Sequence, residues 1–181
     1  MKIDEIIKSR RSIRKFQDKP VPRALIEECI EAARLAPSAC NSQPWHFNVF
    51  DEPDAKENFC KAAFSGIYSN MLQFKEAPVI IAISAAVGGN IMTRFGQMIS
   101  GTKFYLIDQG ICGQQLVLKA HDLGLGTCWI GWFDNKKAKK ALGLPLAHQC
   151  QIIIALGYPA ESPPARERKP LAEVLSYNGY K

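Results

Sequence analysis

The residues best suited to chemistry in this sequence form a cluster of cations near the N-terminus, in the stretch RRSIRKF at positions 10–16. The cluster contains Arg10, Arg11, Arg14 and Lys15. Ser12 adds a hydroxyl among them, and the first carboxylate after them is Asp18. Because guanidinium groups match phosphate oxygens in a planar, two-pronged geometry, this cluster could bind a phosphate. The alternative is a solvated basic loop.

A second basic cluster lies near the C-terminus, in a segment without a core pattern. It contains Arg166, Arg168 and Lys169. The two clusters together could hold a phosphate dianion, provided that folding brings the two ends of the chain side by side. We therefore expect the termini to converge.

The loop PSACNSQPW, at positions 37–45, carries another set of candidate binding residues. Ser38 and Ala39 are small enough to let a flat ligand approach the backbone. Asn41 and Gln43 offer both donors and acceptors to the edge of a heterocycle. The alternative is an Asx-type turn that leads into a strand.

No constellation in the sequence supplies its own nucleophile or acid–base pair. The stretch GLGTCWIGW lacks the G-x-G-x-x-G spacing and precedes a strand, which argues against a Rossmann dinucleotide site. Its two tryptophans could line a ligand site or pack in the core. The three histidines show no metal spacing, and we interpret each as structural or solvent-facing. Any reaction chemistry is therefore expected to come from a cofactor.

The composition is that of one globular domain, which we predict to span residues 1–181. A net charge of +6 suits an anionic ligand, a nucleic acid or an acidic substrate. The six cysteines include no C-x-x-C pair, which favours reduced, buried thiols over a metal site. The N-terminus does not resemble a signal peptide, and no apolar run reaches the ~20 residues of a membrane span. We expect a cytoplasmic protein.

Hydrophobic periodicity predicts helices and strands in alternation, which favours an α+β layer fold. The predicted helices are at 3–9, 23–36, 54–63, 103–123 and 135–142, with a last short helix after Pro170. The predicted strands are at 45–50, 77–86, 126–133 and 151–157. Asp54 and Glu57 could form a capping box for the third helix. Residues 88–101 are the least patterned part, a candidate mobile lid.

The helix at 103–123 is apolar on almost every side, unlike a surface helix with a clean polar face. One core could hardly bury all of it, so we expect part of this helix to lie at a subunit interface. Gly110 and Gly113 would permit close approach of a second helix.

Four segments resemble the FMN-dependent nitroreductase family, in the same order, from about position 10 to position 171. They are RRSIRKF, APSACNSQPWHF, LGLGTCWIGWF and IIIALGYPAESPPARERKP. The resemblance implies a nitroreductase-like α/β sandwich, with a central, mostly antiparallel sheet flanked by helices. It also implies an intertwined homodimer that binds FMN at its interface and uses NAD(P)H as co-substrate.

By matching position, the resemblance also implies which residues contact the flavin. The first loop contributes Arg10, Arg11, Ser12 and Arg14, with Arg14 near the pyrimidine ring. The loop lent by the partner subunit contributes Ser38, Ala39, Asn41 and Gln43. The segment whose backbone N–H faces flavin N5 comprises Cys128, Trp129, Ile130 and Gly131. Asn70 falls at the pyrimidine edge, and Arg166 and Arg168 complete the phosphate site.

The sequence departs from many of these relatives at two places. They carry Pro-x-Glu-Gly where this chain has Cys-Trp-Ile-Gly, and a lysine where it has Gln73. The chain also appears shorter than relatives with an extended helical insertion over the flavin.

The implied reaction is hydride transfer from NAD(P)H, through flavin N5, to small acceptors such as nitroaromatics or quinones, by a ping-pong scheme. No side chain is catalytic in this scheme, although the charge of Arg14 supports the flavin. Alternatives on the same fold are reductive dehalogenation, desaturation or flavin cleavage, and flavin binding without turnover. The alternative from another class is a basic nucleic-acid-binding module, for which a recognition motif is missing. We expect a second copy and a small aromatic acceptor as partners, and no nucleic acid, membrane or metal.

Overall fold

The computed structural model describes residues 2–180 and is organised around one antiparallel sheet. Its four strands are β1 (Trp45–Phe50), β2 (Val79–Ala86), β3 (Gly126–Ile130) and β4 (His148–Gly157), in the order β1-β2-β4-β3. β2 is apolar except for Ser84 and is buried along almost its whole length, because it lies inside the sheet with both of its faces covered. The strands predicted from the sequence are confirmed, although β3 is shorter and β4 begins earlier than predicted.

The helices are α1 (Ile3–Ser9), α2 (Arg23–Arg34), α3 (Pro53–Ala63), α4 (Ile91–Ser100), α5 (Phe104–Asp122), α6 (Asn135–Ala141) and α7 (Leu171–Val174). Six of them lie where the periodicity predicts a helix. A 3-10 segment at Gly66–Glu76 was not predicted. Among residues 2–180, no helix is long and apolar enough to cross a bilayer.

Two apolar layers cover the two faces of the sheet. α2 and α5 pack on one face, against a cluster that includes Ile81 and Ile83 of β2. α3, the 3-10 segment and α6 pack on the other face, against Ile80 and Ala82. Successive side chains of a strand point to opposite faces, so β2 contributes to both layers. This confirms an α+β sandwich with an antiparallel sheet flanked by helices.

Two local predictions about these elements need correction. Residues 88–101 are not without regular structure, because α4 occupies most of them, whereas their role as a mobile lid stays a prediction. The side chain of Asn90 caps this helix by accepting a hydrogen bond from the N–H of Thr93 (3.0 Å), and Gly101 ends it in the left-handed conformation. The capping box at Asp54 and Glu57 does not form. α3 begins at Pro53, so its N-cap is Glu52, which makes no side-chain hydrogen bond.

α5 is the longest helix, and its two faces differ. The face toward α2 and the sheet buries Cys112, Leu116 and Ala120. Three large apolar side chains near its start remain exposed, namely Leu106, Ile107 and Ile111. The prediction that Gly113 permits close approach of a second helix is wrong. A Cβ atom there would lie only 2.5 Å from the ring of Trp129, so glycine at this position lets this β3 side chain pack on α5.

Candidate functional site

The N-terminal basic loop lies along the free edge of β3. The N–H of Ile13 donates to the carbonyl of Thr127 (2.9 Å), and Ser12 forms a parallel bridge with the same residue. The loop can approach this closely because Gly126 has no side chain. A Cβ atom there would come within 2.8 Å of the Ile13 side chain. The edge of the sheet therefore fixes the backbone from which the arginines project.

The chain returns to this loop after β4. The N–H of Gln17 donates to the carbonyl of Tyr158 (2.9 Å), and the N–H of Ala160 donates to the carbonyl of Lys15 (2.9 Å). Phe16 and Pro159 form an antiparallel bridge between these hydrogen bonds. The start of the tail is thereby fastened to the basic loop.

This arrangement creates a basic cleft of about 320 Å³ between the two termini. It is lined by Arg10, Arg11, Ser12, Arg14, Pro163, Pro164, Arg166 and Arg168. The two basic clusters singled out in the sequence therefore lie on one cleft, except for the two lysines. No carboxylate is among the lining residues.

The charges of the basic cleft are largely uncompensated. Among residues 2–180, none of its guanidinium groups forms an ion pair with a carboxylate. Arg11 donates instead to the carbonyls of Lys8 (2.7 Å) and Arg10 (2.8 Å). Burial lowers the pKa of the nearby His121, and the positive charges of Arg10 and Arg11 lower it further. The cleft is thus a concentration of positive charge whose lining residues include no carboxylate.

Glu161 contributes to this region and was missed in the sequence. Its Oε1 accepts hydrogen bonds from the backbone N–H groups of Arg14 (2.5 Å) and Lys15 (3.2 Å). The carboxylate therefore orders the basic loop through its backbone. No local pattern signals such a contact, because the two partners lie at opposite ends of the chain.

The segment Cys128–Gly131 directly follows Thr127, the β3 residue that bridges to Ser12 of the basic loop. Burial raises the pKa of Cys128, and the charge of the nearby Arg14 opposes part of this shift. The side chains of Cys128 and Ile130 are buried, and Trp129 packs on α5. The side chains of Cys128, Trp129 and Ile130 thus pack in the protein interior, which leaves the backbone of this segment to contact a ligand. Of the two tryptophans that could line a site, Trp132 is the exposed one, and its ring lies 5.0 Å from that of Tyr68.

Asn70 lies in the 3-10 segment that carries Tyr68, and it is exposed. It does not line the basic cleft. The contact between Tyr68 and Trp132 brings this segment beside the residues that follow β3.

The Ser38–Gln43 loop has an unusual backbone. Cys40, Asn41 and Gln43 have φ values of 50°, 50° and 42°, in the left-handed region that non-glycine residues rarely adopt. Such conformations persist only where surrounding contacts hold them. The N–H of Gln43 donates to the hydroxyl of Ser38 (2.9 Å), and Asn90 donates to the carbonyl of Cys40 (3.0 Å).

The same loop is attached to α5 through a residue that was missed in the sequence. The N–H of Ala39 donates to Oδ1 of Asp108 (3.1 Å), whose side chain is buried. A lone carboxylate within the apolar run FYLIDQGI was the available signal. None of Ser38, Ala39, Asn41 and Gln43 lines the basic cleft of its own chain.

The histidines are separate from one another. His121 makes a short contact between its Nε2 and the hydroxyl of Ser9 (2.7 Å), whereas His46 and His148 line a different cleft of about 470 Å³. The Ser9 hydroxyl also donates to the carbonyl of Glu5 (2.6 Å), so it accepts from His121 and is not poised as a nucleophile. Within residues 2–180, no group of three His, Cys, Asp or Glu side chains is placed to hold a metal ion.

Comparison with known proteins identifies the class of this fold and site. The chain matches the model of the Nitroreductase family over residues 7–158 and therefore belongs to the nitroreductase family. It is 32% identical, over 197 aligned positions, to an NADH dehydrogenase of Thermus thermophilus, in a match that covers 92% of this chain and 91% of the relative.

Two solved structures share the fold along nearly the whole chain. A nitroreductase family protein of Clostridium difficile 630 is 26% identical with a TM-score of 0.82, covering 99% of this chain and 100% of its own. An FMN-dependent nitroreductase of Clostridium difficile R20291 is 27% identical with a TM-score of 0.79, covering 98% of this chain and 99% of its own.

Proposed function

We propose that this chain is an FMN-dependent oxidoreductase that uses NAD(P)H to reduce small acceptors such as nitroaromatics or quinones. The observation that carries the proposal is the basic cleft, in which guanidinium groups from both ends of the chain meet without a lining carboxylate. Membership of the nitroreductase family and the likeness to an FMN-dependent relative support the choice of cofactor.

The basic cleft fits the phosphate group of FMN in charge and in hydrogen-bonding capacity. A phosphate monoester carries about −1.5 to −2 charges near pH 7 and three strong acceptor oxygens. The cleft offers guanidinium donors from two segments and the hydroxyl of Ser12. Within the part of the chain that the structure describes, these guanidinium groups have no carboxylate partners, so a bound phosphate would not have to displace an ion pair there.

The remaining residues would orient the flavin ring. Bound FMN would supply the hydride chemistry that no side chain of this chain offers. Arg14 lines the basic cleft and its charge also acts on Cys128, so it would stabilise negative charge that develops on the ring. The backbone of Cys128–Gly131 would provide N–H donors held in place by the packing of Trp129 on α5.

A homodimer is part of the proposal because one chain keeps the two candidate binding regions apart. Asp108, near the start of α5, holds the Ser38–Gln43 loop, whereas His121, near its end, lies beside Arg10 and Arg11. Thirteen residues of helix separate the two by about 20 Å. A second copy could lend its loop to the basic cleft of the first, so that both regions contact one flavin.

The exposed apolar surface supports the same dimer. α4 exposes Ile91, Met92, Phe95, Met98 and Ile99, and the adjacent α5 exposes Ile107 and Ile111. Several large apolar side chains exposed on one helix are typical of protein interfaces. Burying it between two copies would also shield the flavin from water.

The direct test is the absorbance spectrum of the purified protein, incubated with FMN, desalted, and then treated with NADH or NADPH without oxygen. We expect retained flavin absorbance that bleaches on addition of nicotinamide cofactor and returns when menadione or nitrofurazone is added. A protein that retains no flavin would contradict the proposed cofactor. One that retains flavin but is not bleached by either nicotinamide would contradict the proposed reaction.

A further inference from the structure

Asp108 is a buried carboxylate that the proposed function does not otherwise use. It lies on α5 with 3% of its surface exposed, between the apolar residues Ile107 and Ile111 on the same helix. Its Oδ1 accepts the N–H of Ala39 at 3.1 Å. Its Oδ2 is also buried and has no hydrogen-bond partner among residues 2–180.

A carboxylate at this position is costly for the fold. Burial penalises the charged form, and the pKa of Asp108 is raised for this reason although the hydrogen bond from Ala39 opposes the shift. An apolar side chain of similar size would avoid this cost. The one contact that Asp108 makes and an apolar residue could not make is the hydrogen bond to the loop.

That hydrogen bond attaches the loop to the longest helix of the molecule. The loop contains three non-glycine residues at positive φ. Apart from hydrogen bonds within the loop itself, its other hydrogen bond among residues 2–180 comes from Asn90. Asn90 precedes α4, a helix with an exposed apolar face, whereas α5 packs on α2 and the sheet. Asp108 is therefore the link between the strained loop and the rigid core.

We propose that Asp108 is a positioning residue, which holds the Ser38–Gln43 loop in its flavin-binding conformation by accepting the Ala39 N–H. The proposal rests on the proposed function, in which this loop contacts the FMN bound by a partner subunit. Preorganising the loop lowers the cost of ordering it when the flavin binds. Asp108 itself is not required to touch the flavin.

The test compares Asp108→Leu with Asp108→Asn and with the neighbouring Gln109→Leu. Asp108→Leu removes the acceptor, and we expect FMN to bind at least about tenfold more weakly, as for the loss of a hydrogen bond to a charged group. Asp108→Asn keeps an oxygen that can accept from Ala39, so FMN affinity should stay within about threefold of wild type. Gln109→Leu is the matched control, because its buried side chain donates to the carbonyl of Ile83 (3.1 Å) and not to the loop.

Three measurements separate positioning from general stability: FMN titration by flavin fluorescence, the unfolding midpoint of the FMN-free protein, and hydrogen exchange of the Ala39 amide. For Asp108→Leu we expect weaker FMN binding and faster exchange at Ala39, with an unfolding midpoint equal to or above that of wild type. A lower midpoint with unchanged FMN affinity would overturn the proposal. So would Asp108→Asn binding as weakly as Asp108→Leu. Failure of the wild type to bind FMN would instead overturn the proposed function.

Discussion

Arg14 differs from the other arginines of the basic cleft because it also borders Cys128, toward the expected flavin ring. Arg166 and Arg168 belong to the exposed tail and line only the cleft. We expect Arg14→Ala to lower turnover by roughly tenfold to a hundredfold while FMN binding weakens by less than tenfold. The double change Arg166→Ala with Arg168→Ala should weaken FMN binding by roughly a hundredfold, since each lost contact is worth about tenfold.

Steady-state rates at saturating FMN and direct FMN titration separate these two effects. Arg34→Ala is the matched control, because this arginine is ion-paired with Glu31 (2.6 Å) on α2 and does not line the basic cleft. Equal losses of turnover and of affinity from both sets of changes would contradict the division of roles.

The six thiols should differ sharply in reactivity. Burial raises the pKa of Cys29, Cys60, Cys112 and Cys150 to about 12 in each case, and it also raises that of Cys128. At pH 8 a thiol with a pKa of about 12 is ionised in only about one molecule in ten thousand, and only the thiolate reacts. Cys40 is exposed, in the strained loop. We expect a thiol reagent to modify one cysteine per native chain, and Cys40→Ser to abolish that reaction.

The pH dependence of this labelling follows from the same shifts. Because burial raises the pKa of Cys29, Cys60, Cys112 and Cys150 to about 12, these four thiols stay protonated as the pH rises from 7 to 9, so they should remain unmodified over this range. FMN should slow the labelling of Cys40, since the Ser38–Gln43 loop is proposed to contact the flavin. Modification of two or more cysteines in the folded chain would show that the buried thiols are accessible.

At the scale of elements, hydrophobic periodicity predicted the helices and strands that pack in the core. The alternation in β1, the apolar run of β2 and the spacing in α2 each arise because one or both faces of the element are buried within the chain. α4 was missed because residues 88–101 were interpreted as the least patterned part of the chain, although their apolar residues recur at helical spacing. In the sequence, Asn90 as a possible N-cap and Gly101 as a possible C-cap were the signals that could have located α4.

The candidate site was only partly predictable, for a related reason. The basic residues were visible because cations cluster in the sequence, but their convergence depends on backbone hydrogen bonds between residues 15–17 and 158–160. Asp108 and Glu161 act on backbone N–H groups far away in the chain, and such contacts leave no periodic pattern. Gly113 was assigned to a second helix because a sequence does not show which neighbour approaches a glycine.

The exposed side of α5 carries a prediction about assembly. Ile107 is 52% exposed, and Ile111 lies one turn further along the same helix. If this face meets a second copy, Ile107→Glu would bury a charge at the interface, at a cost of several kcal/mol. We expect this variant to be monomeric by sedimentation, to keep the wild-type far-UV spectrum and to lose FMN. Ile107→Leu preserves the apolar surface and should remain dimeric with FMN bound, whereas a dimeric Ile107→Glu would exclude this face from the interface.

At the scale of the whole molecule, the tail contributes Arg166 and Arg168 to the basic cleft but buries little of its own apolar surface. Every residue from Pro164 to Tyr180 is exposed, including apolar side chains that a folded monomer gains nothing by ordering. These are Leu171, Val174, Leu175, Tyr177 and Tyr180. Apolar side chains that stay exposed on their own chain are expected to pack on a partner. In the proposed intertwined dimer, the tail of one copy would therefore pack on the surface of the other.

A chain that ends at Pro170 would test this view of the tail, because the cut leaves Arg166 and Arg168 in place and removes the apolar segment beyond them. We expect the unfolding midpoint of dilute, FMN-free protein to stay near that of the full chain, since the deleted residues bury little surface within it. Dimerisation should weaken, and apparent FMN affinity should become dependent on protein concentration, recovering toward the wild-type value as the concentration rises. Removal of residues 178–181 alone is the matched control, as it leaves Leu171, Val174 and Leu175 in place. A truncated chain that dimerises and binds FMN like the full chain at every concentration would mean that the tail is dispensable and that α4 and α5 alone hold the two copies together.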